Sequence, residues 1–199
     1  SKVGAGIRYL RSRGFSDKDM IRWRVMYGVG RDEQYSMRGR VVFPSFDAGG
    51  ELNCYVGRAT WDKPDDSTFY LPYKIGPRGL DKSQIIFNEL DVDWDRRVTL
   101  TEGVFDAAQF DNSVPLLGKS VHTGWKIFQK IMERRPPIMI CLDPDAAKEQ
   151  RDIAELFYQS GVKDIKMIWL EEKDAGDLDQ GELRHYLRNA DTFHERTVR

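Results

Sequence analysis

The stretch Ile138-Met139-Ile140-Cys141-Leu142-Asp143-Pro144-Asp145 decides how this chain is read. An apolar run stands between Pro136-Pro137 and Asp143. A short apolar run bounded by breakers reads as a buried strand. Ala146 onward reads as a helix. Asp143 and Asp145 therefore fall at the carboxyl end of a strand, where open α/β sheets place their ligands.

Working outward, the second half alternates in period. Val98-Thr99-Leu100-Thr101 reads as a strand, followed by a helix from Val104 to about Asp111. Val114-Pro115-Leu116-Leu117 is a short strand, and Trp125 to Arg135 a helix with Ile127, Phe128, Ile131 and Met132 at helical spacing. After the Ile138 strand comes a helix from Ala146 to Ser160, with Gly161 as a C-cap signal. Ile165 to Leu170 is another strand and Leu183 to Asn189 a last helix, and the tail after Asp191 is expected to fray. Strands alternating with helices imply βαβ units and a parallel sheet covered on both faces.

The first half has a different grain. Residues 1–14 read as a helix with Gly14 as its stop, and Ser16 to Asp19 resembles a capping box opening a second helix that ends by Tyr27-Gly28. Val41-Val42-Phe43 and Leu52 to Thr60 read as two strands joined by the turn Asp47-Ala48-Gly49-Gly50. Arg38, Arg40 and Arg58 punctuate this hairpin. Residues 61–83 are irregular and hold Tyr70, Tyr73, Lys74, Arg78 and Lys82. Such a mixture suits base stacking and phosphate contact, or else a solvated loop with its aromatics turned inward. The expected division is an α+β subdomain over 1–90, a parallel α/β domain over 91–190 and a flexible tail over 191–199.

The totals narrow the functional classes. With 31 basic and 32 acidic residues the net charge is -1, which argues against a general nucleic-acid coat but permits a basic face opposite an acidic pocket. Cys54 and Cys141 lie far apart in apolar runs, so they read as buried thiols and make no Cys-rich zinc site. An intracellular setting is the default, and no apolar run has membrane-spanning length.

Three strand ends carry acids. The first gives Glu102, with Asp106 one helical turn further on; another gives Asp143 and Asp145; the last leads into Asp174 and Asp177. A parallel sheet brings such ends to one edge. Carboxylates held close raise one another's pKa unless a cation lies among them. Hard oxygen ligands without His or Cys suit Mg²⁺ or Mn²⁺. Taken singly each acid has a bland reading, and Asp145 before Ala146 is a fair N-cap. The combination favours a metal site.

Thr101-Glu102-Gly103-Val104-Phe105-Asp106, then Leu142-Asp143-Pro144-Asp145, then Lys173-Asp174, resembles the TOPRIM domain of bacterial-type primases, topoisomerases and some nucleases. The family usually has a small or polar residue between its two aspartates, where this chain has Pro144. Gly39-Arg40-Val41-Val42-Phe43-Pro44, the later Gly57-Arg58, Tyr70-Leu71-Pro72 and Lys82-Ser83 before Phe87-Asn88 resemble the RNA-polymerase core of DnaG-type primases, bacterial and phage. The N-terminal Tyr9-Leu10 and Arg13-Gly14 fit the start of that core.

This resemblance implies synthesis of short RNA primers on single-stranded DNA from ribonucleoside triphosphates, in the cytoplasm of a bacterial or phage-infected cell. It implies that Glu102, Asp143 and Asp145 are catalytic and hold Mg²⁺ or Mn²⁺, with Asp106 and Asp174 as further ligands. Arg40, Arg58, Lys74, Arg78, Lys82 and Lys119 are the candidates for template or nucleotide phosphates. DnaG-type primases also carry a zinc-binding module and a helicase-binding module. Neither lies in this stretch, so the expectation is a catalytic core, or a small phage-type primase, partnered by a separate zinc module and a replicative helicase. A TOPRIM nuclease and a non-catalytic DNA-binding primosome subunit are the rival readings.

Overall fold

The computed structural model describes residues 2–28, 37–60, 73–76 and 81–194, with backbone alone for residues 2, 3 and 73–75. The chain divides into two compact units, Ser1–Leu80 and Asp81–Arg199.

The first unit opens with α1 (Lys2–Ser12) and α2 (Asp17–Arg22). Ser16 caps α2 through a reciprocal box with Asp19, as its spacing predicts, but the helix stops at Arg22 rather than near Gly28. The chain there turns into strand β1 (Met26–Tyr27), the edge of a four-stranded antiparallel sheet ordered β1-β2-β3-β4. The expected hairpin is β2 (Arg40–Phe46) and β3 (Leu52–Ala59), and β4 (Tyr73–Gly76) adds to it. The hairpin turn is held by Asp47, whose Oδ1 accepts from the N–H groups of Gly49 and Glu51. Gly50 follows with φ +85°, a left-handed conformation that costs glycine nothing. Phe43 of β2 is fully buried, and Phe15 and Trp23 meet it edge-on.

The second unit is the α/β half. Its sheet runs in the order β6-β5-β7-β8-β9, from β5 (Val98–Thr101), β6 (Ser113–Pro115), β7 (Ile138–Cys141), β8 (Ile165–Met167) and β9 (Asp191–Thr192). The first four are parallel and β9 is antiparallel to β8. Successive side chains on a strand point to opposite faces. Ile138 and Ile140 accordingly join Val98, Leu100, Ile165 and Met167 in one core cluster. That cluster includes Phe128 of α4 (Lys126–Arg134) and Phe157 of α5 (Ala147–Gln159), whose rings stack at 5.4 Å. Met139 and Cys141 face the other way, toward Leu183 of α6 (Gln180–Arg188) and Phe110, just beyond α3 (Val104–Ala108). Both cysteines are free and buried, and burial pushes the Cys54 thiol up to about 12.

Three expectations change. The chain after Asp191 does not fray at once: β9 pairs with β8, and Phe193, 3% exposed, packs into the core. Of this tail, residues 195–199 lie outside the described set. Helix α6 starts three residues early because Asp179 and Glu182 form a capping box. Residues 81–90, expected with the first unit, belong to the second, where Ile86 enters the core. No described helix is long and apolar enough to cross a membrane.

Candidate metal and nucleotide site

The site is built from the loops that leave β5, β6, β7 and β8. Parallel pairing of β5 and β7 sets Thr101 opposite Cys141, so Glu102 and Asp143 emerge side by side. Pro144 opens a 3-10 turn over Pro144–Ala146, and α5 follows. Neither aspartate is spent on capping: Asp143 makes no side-chain cap bond, and the N-cap of α5 is Ala146. The bland reading of Asp145 as a helix cap therefore fails.

Glu102, Asp143 and Asp145 each offer a carboxylate oxygen within 4.8 Å of the other two, the one such group among the described residues. Burial, then the charges of Asp106, Glu102 and Asp174, push the Asp143 carboxyl up to about 8. Glu102 is also raised, by burial foremost, while Lys119 and a hydrogen bond with Asp143 work against the shift. Carboxylates held this close raise one another when no multivalent cation neutralises them. Glu102 Oε2 is buried and accepts no hydrogen bond. A buried carboxylate oxygen without a donor is a costly arrangement, and a divalent ion would satisfy it. The all-oxygen donor set fits Mg²⁺ or Mn²⁺.

The remaining candidates fall in different places. Asp106, 8% exposed, accepts from Gly103 N–H at 3.0 Å through Oδ2 and from Gly176 N–H at 2.9 Å through Oδ1. Asp106 thus ties the Glu102 turn to the turn after β8, and it stands outside the three-acid group. Asp174 is exposed at the start of that second turn, and its charge helps raise both Asp143 and Asp106. Asp177 closes the same turn and is exposed.

Among the cations, Lys119 lies within the acid cluster. Its Nζ is 2.6 Å from Asp145 Oδ1 and 3.7 Å from Glu102 Oε2. Lys82 Nζ donates to Leu117 O at 3.0 Å and stands over the Trp125 ring, bracing the loop that carries Lys119. Arg58 Nε donates to the Tyr9 hydroxyl at 3.1 Å. Arg40 is 1% exposed and donates to Gly57 O; the strand it begins is buried along nearly its whole length. Arg40 is thus buried and hydrogen-bonded within the antiparallel sheet. Lys74 has only its backbone described, paired opposite Gly57, and Arg78 lies outside the described residues.

Gln150 escaped the sequence reading. It is 2% exposed, accepts from Leu142 N–H at 2.8 Å and donates to Ile168 O at 2.9 Å. It thus clamps the ends of β7 and β8 directly beneath Asp143. The signal was present: Gln150 shares the helical spacing of Ile153, Ala154 and Phe157, so it had to face inward.

No family model matches the chain, and no curated relative matches it. Solved structures do. The Aquifex aeolicus primase fragment with zinc-binding and RNA polymerase domains superposes with TM-score 0.69 at 18% identity, over 94% of this chain and 56% of that one. The RNA polymerase domain of Mycobacterium tuberculosis primase DnaG gives 0.70 at 14% identity, over 96% of this chain and 77% of that one. A DnaG catalytic domain bound to single-stranded DNA gives 0.65 at 17%, over 93% and 73%. The fold is that of the DnaG-type primase core. The chain spans just over half of the Aquifex fragment, and about three quarters of the other two.

Proposed function

We propose that the chain is the catalytic core of a DnaG-type primase, with a TOPRIM domain that synthesises short RNA primers on single-stranded DNA. The observation that carries this reading is the convergence of Glu102, Asp143 and Asp145 within 4.8 Å at the carboxyl edge of a parallel sheet, in a chain with this fold. Glu102, Asp143 and Asp145 would hold Mg²⁺, with Asp174 adding negative charge beside them. Bound there, the ion would neutralise the nucleotide's triphosphate and activate the attacking 3′-hydroxyl.

The chain's own groups do the rest. In nucleotidyl transfer the 3′-oxygen bonds to the α-phosphorus, the bond to the bridging oxygen of the β-phosphate breaks, and pyrophosphate leaves. With one Glu102 oxygen on the ion, the other oxygen of that carboxylate takes the hydroxyl proton. Lys119 and Lys82 supply positive charge to the phosphates. Arg58, with Lys74 and Arg78, contacts the template backbone, and such contacts weaken with salt. A separate zinc module and a replicative helicase are the expected partners, in a bacterial or phage-infected cytoplasm. One similar structure is a primase domain bound to single-stranded DNA, which supports the choice of template.

The test is labelled ribonucleotides with a single-stranded DNA template and Mg²⁺. Extension products support the reading. Shortened template would instead identify a nuclease using the same acids.

A further inference from the structure

Lys119 is held at the acid cluster by a backbone built for the purpose. The loop between β6 and α4 turns sharply at Leu117 (φ +55°) and Gly118 (φ +147°). Left-handed backbone at a leucine costs about 1 kcal/mol or more and persists only where its surroundings enforce it. Here Lys82 Nζ enforces it by binding Leu117 O. A side chain at position 118 would be strained at that φ and would bring its Cβ to 2.8 Å from Lys82 Nζ. The turn delivers Lys119 Nζ to the space between Asp145 Oδ1 and the buried Glu102 Oε2. These are two of the three carboxylates that meet within 4.8 Å.

We infer that Lys119 is a tethered resident cation of the acid cluster, and that a divalent ion must displace its ammonium to bind. The inference rests on the metal assignment in the proposed function, but not on primer synthesis. An ammonium and a divalent ion drawn to the same carboxylates stand a few ångströms apart, where like charges repel even in a partly solvated setting. The side chain is one-third exposed, so it has room to swing aside. Lys119 keeps the metal-free cluster from carrying its full negative charge. It also sets a threshold for loading, so that cation affinity is below what three bare carboxylates would give.

The experiment is a Mn²⁺ titration of the whole chain, followed by electron paramagnetic resonance of the free ion, at low salt and pH 8. Lys119→Met keeps the length and apolar stem and removes the charge, and Lys119→Arg keeps the charge. Lys119→Met binds Mn²⁺ about tenfold more tightly than the parent, the size expected from removing one nearby charge in a partly screened site. Lys119→Arg stays within about threefold of the parent on the same electrostatic ground. Equal or weaker Mn²⁺ binding by Lys119→Met, with an unchanged unfolding temperature in EDTA, overturns the inference. Absence of Mn²⁺ binding in both proteins overturns it together with the metal assignment. If Lys119→Met tightens binding while the parent makes no primer, the tethered cation stands and the primase reading falls. Primer extension by the parent with no shift in Mn²⁺ affinity gives the reverse.

Discussion

Asp106 Oδ1 accepts a hydrogen bond from Gly176 N–H at 2.9 Å, joining the turn after β5 to the turn after β8. With Gly103 N–H on its other oxygen, the carboxylate satisfies two backbone donors that no other residue serves in the same way. Asp106→Ala leaves both without a partner and destabilises the protein by about 2–4 kcal/mol, since an unsatisfied buried group costs about 1–3 kcal/mol. Asp106→Asn keeps one acceptor and places a donor against the other N–H, so it loses a large part of the same stability. Urea denaturation in EDTA measures both. Unchanged stability together with lost Mn²⁺ binding would make Asp106 a ligand instead.

Asp143 predicts a pH dependence with a definite sign. Its carboxyl titrates at 3.8 in an ordinary setting and at about 8 in the fold. Between these values the metal-free native state holds a proton that the unfolded chain has released. Stability is therefore complete below about pH 4 and falls as pH rises toward 8. Asp143→Asn lacks this proton, so its unfolding temperature in EDTA falls less across the window. A divalent ion must expel the proton, so Mn²⁺ affinity of the parent climbs from pH 6 to pH 8. Parallel melting curves for parent and variant across pH 5–8 would remove the basis for the raised Asp143.

Gln150 is the support beneath Asp143. Gln150→Leu preserves volume but strands Leu142 N–H and Ile168 C=O, both buried. The expected loss is about 2–4 kcal/mol in urea denaturation, with weaker Mn²⁺ binding as the β7 end loosens. A loss below about 0.5 kcal/mol, within the range of ordinary surface substitutions, would contradict the clamp.

Arg58 tests the basic hairpin. Arg58→Ala weakens binding of single-stranded DNA at low salt and reduces the slope of log affinity against log salt by about 1, the share of one phosphate contact. Fluorescence anisotropy across a salt series measures it. An unchanged slope would confine Arg58 to its bond with Tyr9.

The legible parts of the chain were those with strong local chemistry. The strand ending in Asp143-Pro144-Asp145 declared itself by an apolar run cut off by charge. The capping box at Ser16 and the glycine after α5 marked their helices. The three acids could be grouped because a parallel sheet sends successive strand ends to one edge. The failures depend on three-dimensional placement: where a polar side chain turns, or which strand a short segment meets. Arg40 reads as a basic hairpin residue, yet its strand is buried and it bonds inward to Gly57. Lys119 reads as a candidate phosphate contact, but an unusual turn at Leu117-Gly118 brings it to Asp145. The polar strand β9 carries no apolar alternation, and only its pairing with β8 and the burial of Phe193 reveal it. Asp106 follows Glu102 by one helical turn, a spacing equally suited to a ligand and to the capping role it fills.

Nucleotidyl transfer at the Glu102, Asp143 and Asp145 cluster is proposed above. Its most direct test is extension of a short RNA annealed to single-stranded DNA, which removes any need for a separate initiation module. The parent is compared with Asp143→Ala in Mg²⁺, with folding of both checked by circular dichroism. The account predicts labelled extension products from the parent and a loss of about 10³-fold or more in the folded variant, the scale on which removal of a charge-stabilising catalytic group acts. Equal extension by Asp143→Ala, or shortening of the template in place of extension, would contradict it.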